Sequence, residues 1–317
     1  MSCGGGNVKI LVISGFLGAG KTTFIKELIR RTGKNVVVME NEYGEVNLDS
    51  QEISQTSDVD ILEFAEGCIC CSMKDSFASS LLTISSSLDP EYLVVEPTGI
   101  GKLSSILATA QKYEYERISL LRPVTIVTPQ SFYRYRREHP DIYLDQIENS
   151  SRIVFSKGEN ESPDILEKIA AEIRRLNPRA EIVCRHYTQQ DDAWWNGLLE
   201  EERAAECSTW NTAAESAGRA SKIHECTFAK ARLRNPAELI VLLEDVIRGE
   251  LGDISRAKGV LQCGGEWLRF DAADSRYGVT GAEGYAQETQ CVFIGRTVKR
   301  RALFDRLNAG TDGAVET

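Results

Sequence analysis

Val8-Lys9-Ile10-Leu11-Val12-Ile13-Ser14 runs directly into Gly15-Phe16-Leu17-Gly18-Ala19-Gly20-Lys21-Thr22. The first part is an apolar, β-branched run, the pattern of a strand covered on both faces. The second part satisfies G-x-x-x-x-G-K-[ST] at every position. Lys21 to Arg31 then carries helical apolar spacing. Strand, glycine turn and helix N-terminus in that order make a phosphate cradle. The glycines let backbone N–H groups turn inward around phosphate oxygens, and the helix adds unpaired donors and the positive end of its dipole. Gly15, Gly18, Ala19 and Gly20 are therefore nucleotide-binding candidates, with Thr23 in the first turn of the helix. Lys21 is expected to reach the β- and γ-phosphates, which makes it a catalytic candidate as well. The Thr22 hydroxyl is expected to hold magnesium.

The alternation continues outward from this stretch. Residues 35–40, 92–96, 123–128, 152–156 and 181–184 read as further short strands, and 164–176 as a helix. Unbroken Val/Ile/Leu runs separated by helices predict an α/β chain of the P-loop NTPase type, with a doubly wound, mostly parallel sheet. This domain is expected over 1–205. Residues 203–222 turn rich in Ala, Ser, Glu and Gly, and 206–222 are read as a linker. Residues 223–317 read as a second, smaller α+β domain: a strand near 223–229, a helix over 236–248, several short strands to about 295 and a final helix from near Val298.

A length of 317 residues agrees with two domains at ~150 residues each. The net charge of −10 argues against a nucleic-acid or anionic-membrane binder, either of which needs a basic field. No apolar run approaches the ~20 residues of a membrane span. The opening Met-Ser-Cys-Gly-Gly-Gly lacks the charged start and apolar core of a signal peptide. A cytoplasmic location is the expectation. Tyr133-Arg134-Tyr135-Arg136-Arg137 reads as a solvated amphipathic helix, Trp194 and Trp195 as packing anchors, and Lys299-Arg300-Arg301 as an exposed helix face.

Nine cysteines stand against three histidines, and Cys68, Cys70 and Cys71 fall inside Glu66-Gly67-Cys68-Ile69-Cys70-Cys71-Ser72. Soft thiolates at this density suit zinc or Cu(I), provided the chain bends so that all three converge. Packing as small hydrophobes and redox sensing are the other readings of the same residues. Cys3, Cys184, Cys207, Cys226, Cys263 and Cys291 are scattered and carry no assigned chemistry. Asn41-Glu42-Tyr43-Gly44-Glu45-Val46-Asn47-Leu48-Asp49 follows the second strand and offers Glu42, Glu45 and Asp49 as a fourth ligand, or as a polar loop. Glu96 ends a strand in Val94-Val95-Glu96-Pro97-Thr98-Gly99. It is placed to hold magnesium, directly or through water, or to orient an attacking water. Gly99 lets the backbone approach a γ-phosphate. In a doubly wound sheet these loops all follow strands and meet at the carboxyl ends.

Taken together, G-F-L-G-A-G-K-T at 15–22, N-E-Y-G-E-V at 41–46, G-C-I-C-C-S at 67–72 and E-P-T-G at 96–99 resemble the CobW family of P-loop GTPases. That family is related to the hydrogenase and urease nickel-insertion GTPases. S-R-A-K-G at 255–259 and V-F-I-G-R at 292–296 resemble its C-terminal domain, so the resemblance spans nearly the whole chain. It implies GTP and GDP as nucleotides, magnesium, and a transition metal, zinc or else cobalt or nickel. It implies Cys68, Cys70, Cys71 and Glu42 as metal ligands, and Asp49 with Glu96 as magnesium- or water-positioning catalytic residues. The activity implied is a GTP-hydrolysing metallochaperone that delivers its metal to a client metalloprotein or to a cobalamin-related, corrinoid enzyme. A homodimer is an open assembly.

Several positions depart from the family pattern. Guanine is usually read by Asn-Lys-x-Asp, where this chain has Ser156-Lys157-Gly158-Glu159. Glu159 would accept from the base one methylene further out, and Ser156 offers one hydroxyl where an amide offers a donor and an acceptor. Relaxed base selection is the expectation. Glu66 stands where Asn is common, Thr128 where Asp is common, and the His-rich stretch of many members is missing. A regulator of another class stands beside the GTPase: a nucleotide-binding activator docked on a metallo- or corrinoid enzyme, with structural or redox-sensing cysteines.

Overall fold

A computed structural model of the chain describes residues 7–40, 61–63, 81, 83–84, 88, 90–113, 118–202, 223–282 and 289–308. These fall into two compact units, one ending at 202 and one beginning at 223.

The first unit is built on an eight-stranded sheet in which each strand runs parallel to its neighbours. The strands are β1 (Val8–Gly15), β2 (Val36–Glu40), β3 (Ile61–Glu63), β4 (Tyr92–Glu96), β5 (Ile118–Leu120), β6 (Val124–Val127), β7 (Arg152–Phe155) and β8 (Glu181–Val183). Their order is β3-β2-β4-β1-β6-β7-β8, with β5 pairing β1 beside β6. The helices are α1 (Lys21–Thr32), α2 (Leu103–Gln111), α3 (Phe132–Glu138), α4 (Pro140–Glu148), α5 (Pro163–Leu176) and α6 (Asp192–Glu200). The doubly wound P-loop architecture expected from the sequence is therefore present.

Burial on both faces explains the unbroken apolar strands. Alternate residues of one strand enter opposite cores. Leu11, Ile13, Val36, Val38 and Val94 pack with Phe24, Leu28 and Trp195. Ile10, Val12, Val37, Met39, Leu93 and Val95 pack with Leu103 and Leu107. The pairings Val12↔Val95 and Glu40↔Glu96 bring the carboxyl ends of β1, β2 and β4 level.

In α1, Gly33 caps the C-terminus in the left-handed conformation, with its N–H on Ile29 O at 3.0 Å. Arg30 and Arg31 occupy the last turn, where the dipole favours cations, and both grip the Glu27 carboxylate at 2.6–2.9 Å. Phe24 on the buried face meets Tyr187 and Trp195, each with ring centroids 5.1 Å away.

The second unit is a sheet in the order β13-β12-β11-β14-β9, antiparallel throughout, with short β10 lying parallel on β11. Its strands are β9 (His224–Phe228), β10 (Arg232–Leu233), β11 (Gly252–Cys263), β12 (Glu266–Ala273), β13 (Arg276–Gly281) and β14 (Gln290–Val298). Helix α7 (Pro236–Ile247) is capped by Asn235, which accepts from Glu238 N at 3.1 Å. It buries Leu239, Leu242, Leu243 and Val246 in a core with Phe270 and Phe293. Helix α8 (Arg300–Leu307) adds Leu303 and Leu307. The smaller α+β unit is present as expected, with β9, β10 and β13 short, but β11, β12 and β14 run through twelve, eight and nine residues where short strands were expected. β11 keeps its pairing to β14 across a register shift between Asp253 and Arg256. Lys299 lies just before α8 and donates to Glu250 O, so the basic face starts at Arg300. Among the described residues no helix is long and apolar enough to cross a membrane.

Trp195 is fully buried in the α1–α6 aromatic cluster, so Trp195→Ala is expected to cost about 3–5 kcal/mol, measured by denaturant unfolding. Glu27 carries a pH signature. Hydrogen bonds from Arg30, more than offsetting burial and helped by Arg31, lower its carboxyl from 4.5 to about 2. A lowered folded value means stability that is fully present above about 4.5 and lost as pH falls toward 2. The stability gap between wild type and Glu27→Gln should be largest near neutral pH and close through that window, in denaturant melts across a pH series.

Candidate functional site

The loop from Gly15 to Thr22 joins β1 to α1. Gly15 has φ +148°, and a Cβ there would sit 2.6 Å from Ile126 O on neighbouring β6, so only glycine fits. Gly18 and Gly20 take φ of 71° and 93°, which turns successive backbone N–H groups inward as an anion nest. Ala19 N closes the loop on Phe16 O at 3.1 Å. Phe16 is held from outside the loop by the rings of Tyr135 on α3, His139 and Tyr143 on α4, with centroids at 4.3, 4.9 and 6.0 Å.

Glu96, at the end of β4, faces the start of α1. Thr22 Oγ1 donates to both its carboxylate oxygens, at 3.2 and 3.1 Å, and Lys21 Nζ lies 3.8 Å from Oε1. Both Lys21 and Glu96 are largely buried there. A hydroxyl and a carboxylate converging beside a phosphate cradle are the hard oxygen donors that magnesium takes, so this donor set fits that ion. Past Glu96, Gly99 presses against the phosphate loop, where a Cβ would lie 2.6 Å from Leu17 N.

The loop after β7 reaches the same cradle. Ser156 is buried, with its Oγ 3.1 Å from where a Gly20 Cβ would stand. Lys157, in the left-handed conformation at φ 60°, donates from Nζ to Gly18 O at 2.7 Å. Glu159 leans the other way, its Oε1 3.0 Å from His186 Nε2. A cavity of about 790 Å³ opens beside these residues, with Gly20, Thr23, Ser156, Lys157, His186 and Tyr187 in its wall. The sheet thus brings Gly15, Gly18, Ala19, Gly20, Lys21, Thr22, Thr23, Glu96, Gly99, Ser156 and Lys157 to one end of the first unit.

The nucleotide-binding model described as CobW/HypB/UreG, nucleotide-binding domain, matches residues 9–184. The chain belongs to the CobW/HypB/UreG family. The model for the cobalamin synthesis protein cobW C-terminal domain matches residues 223–311. The zinc chaperone YjiA of Escherichia coli K12 is 29% identical over 183 residues, covering 55% of this chain and 56% of the relative. The zinc-regulated GTPase metalloprotein activator 1 of Dictyostelium discoideum is 24% identical over 243 residues, 63% of this chain and 51% of the relative. The chain thus spans about half the length of these curated relatives. The crystal structure of Zn(II)-bound YjiA GTPase from E. coli aligns over 96% of this chain and 98% of that one, with a TM-score of 0.46 and 18% identity.

The residues expected from the resemblance to hold a transition metal, Cys68, Cys70, Cys71 and Glu42, lie outside the described residues, as do Asp49, Glu45 and Glu66. Among the described residues no group of three or more His, Cys, Asp or Glu side chains gathers as a metal site. Cys184, Cys226, Cys263 and Cys291 are free thiols. Burial raises all four thiols, Cys263 to about 11, and Cys263 and Cys291 pack in the core of the second unit. Tyr133 and Arg136 of the aromatic–basic stretch bond Glu172 on α5, and Phe132 and Tyr135 are buried, so α3 is a half-buried packing helix.

Sequence reasoning missed the aromatic cage around Phe16, the His186 contact to Glu159, and two buried polar residues of α4, Asp145 and Gln146. His186 follows β8 as Lys157 follows β7, and shared strand-end position was the available signal for that contact. A polar pair in a short helix carries no such signal.

Gly99→Ala would drive a methyl into the backbone at Leu17. Affinity for a nucleoside triphosphate is expected to fall on the order of tenfold, about 1.4 kcal/mol. Equilibrium titration with a fluorescent nucleotide measures it.

Proposed function

We propose that this protein is a GTP-hydrolysing metallochaperone that carries zinc, with cobalt or nickel as the alternative cargo, to a client metalloprotein or corrinoid-related enzyme. The observation that carries the reading is the meeting of Lys21, Thr22 and Glu96 under a glycine cradle, in a chain of the CobW/HypB/UreG family. Relatives described as zinc chaperones support zinc over the other metals.

The backbone N–H groups of Gly18, Ala19 and Gly20 would take the phosphates, and Lys21 would bridge toward the γ-phosphate. Thr22 and Glu96 would hold magnesium, which when bound neutralises charge building on the phosphates. Glu96 and Asp49 would orient the attacking water. Ser156, Lys157 and Glu159 would meet the base, with Lys157 already braced on the phosphate loop. Glu159 shares one oxygen with His186, which leaves less of the carboxylate for guanine and supports relaxed base choice. Cys68, Cys70, Cys71 and Glu42 would hold the cargo. Thiolate affinity depends steeply on ligand geometry and deprotonation, so a loop that moves with the γ-phosphate can grip and release a metal.

Two measurements test this. Phosphate release should be seen with GTP and fall by on the order of a hundredfold or more in Lys21→Ala, since a group aimed at the developing charge is lost. Zinc affinity, by competition with a chromogenic chelator, should differ between the nucleotide-free, GTP-analogue and GDP forms. Equal affinities in all three sink the coupling. Absence of hydrolysis with metal and client present favours the docked regulator instead.

A further inference from the structure

Helix α4 touches both the phosphate loop, through Tyr143 on Phe16, and the loop after β4. Its Gln146 is 1% exposed and sends Nε2 to two backbone carbonyls of the loop after β4, Gly99 O at 3.2 Å and Gly101 O at 3.0 Å. Two carbonyls can only accept, so the amide must present its nitrogen there. The other end, Oε1, is buried and finds no hydrogen-bond partner among the described residues. A core side chain that leaves an acceptor unpaired is a costly space filler, so packing alone does not account for glutamine at this position.

The neighbouring Asp145 holds the far end of the same segment. Helix α2 has Lys102 at its N-cap and no capping side chain of its own. Asp145 supplies the missing acceptor from α4, taking Ser104 N at 3.0 Å and Ser104 Oγ at 2.5 Å. Residues 99–104 are therefore fastened to α4 at both ends. Helix α4 is itself tied down: Thr125 Oγ1 on β6 donates to Gln146 O at 3.0 Å, and Asn177 Nδ2 donates to Ile147 O and Ser150 O at 2.8 and 2.7 Å. Tyr143, one turn back on α4, packs on Phe16 of the phosphate loop. One short helix thus sets the spacing between the phosphate loop and the segment that carries Gly99.

We propose that Gln146 and Asp145 form a bracket that holds residues 99–104 over the phosphate loop, and that they are positioning residues through which the protein tells a triphosphate from a diphosphate. The inference rests on the nucleotide-switch reading of these loops. Gln146 fixes the Gly99 and Gly101 carbonyls, and with Asp145 it holds the Gly99 backbone, its amide included, where it presses on Leu17 of the phosphate loop. A preset amide loses no energy to reorientation when a γ-phosphate arrives, and a loose one does. The α- and β-phosphates sit in the glycine cradle and are indifferent to this bracket.

The test compares wild type with Gln146→Leu in the full chain, with magnesium present. The readouts are affinity for GDP, affinity for a non-hydrolysable GTP analogue, kcat and KM. Gln146→Leu should bind GDP within about twofold of wild type, lose about tenfold for the analogue, and lose about tenfold in kcat. Equal loss for both ligands marks Gln146 as merely structural and overturns the proposal, and so does no loss for either. Gln146→Met, which keeps length and burial without the donor, repeats the comparison if the leucine variant fails to fold. A wild type that binds both nucleotides but hydrolyses nothing defeats the hydrolysis reading, and the ratio of the two affinities still decides the bracket.

Discussion

Parallel register is the constraint on which the rest of the first unit depends. β1, β2 and β4 run in one direction and are aligned Val12 to Val95 and Glu40 to Glu96. Whatever follows these strands must emerge along one edge. The phosphate loop, Glu96 and the Gly99 segment all follow strands, and so does the Lys157 loop. None of them needs a dedicated contact to find the others, because the sheet delivers them. The sheet can do so because both of its faces are sealed by separate cores, one around Phe24 and Trp195 and one around Leu103 and Leu107.

Within that frame the site is assembled from close approaches that only small residues permit. Gly15 lies against Ile126, Gly20 against Ser156 and Gly99 against Leu17. Each contact replaces a side chain with backbone, and backbone N–H groups are what a phosphate needs. Around this soft interior stand stiffer parts. The aromatic cage on Phe16 and the polar contacts of α4 stand behind that backbone and fix where it lies.

Much of this was legible in the chain as written. The motif at 15–22 carries its own geometry, since its glycines, lysine and threonine have fixed roles wherever a strand precedes and a helix follows. The place of Glu96 was legible because it ends an apolar strand of a parallel sheet whose carboxyl edge also carries the phosphate loop. The second unit was harder. Its sequence reads as several short strands, whereas β11 runs through twelve residues across a register shift near Ile254 that no local signal marks. The acids and thiols at 42–49 and 66–71 stand on sequence alone.

Composition, apolar period and motif spacing determined the fold class, the phosphate loop and the identity of the groups gathered at the strand ends. These are local properties, set by which residues can form a buried strand or a left-handed turn. The tertiary structure decided the pairings that join distant positions. Thr22 meets Glu96 across 74 residues, Lys157 braces Gly18 across 139, and Gln146 holds Gly99 across 47. A glutamine in a nine-residue helix looks the same in sequence whether it faces water or two buried carbonyls. Its meaning comes from what the sheet places opposite it, and that is settled only when helix α4 packs between the phosphate loop and the segment after β4.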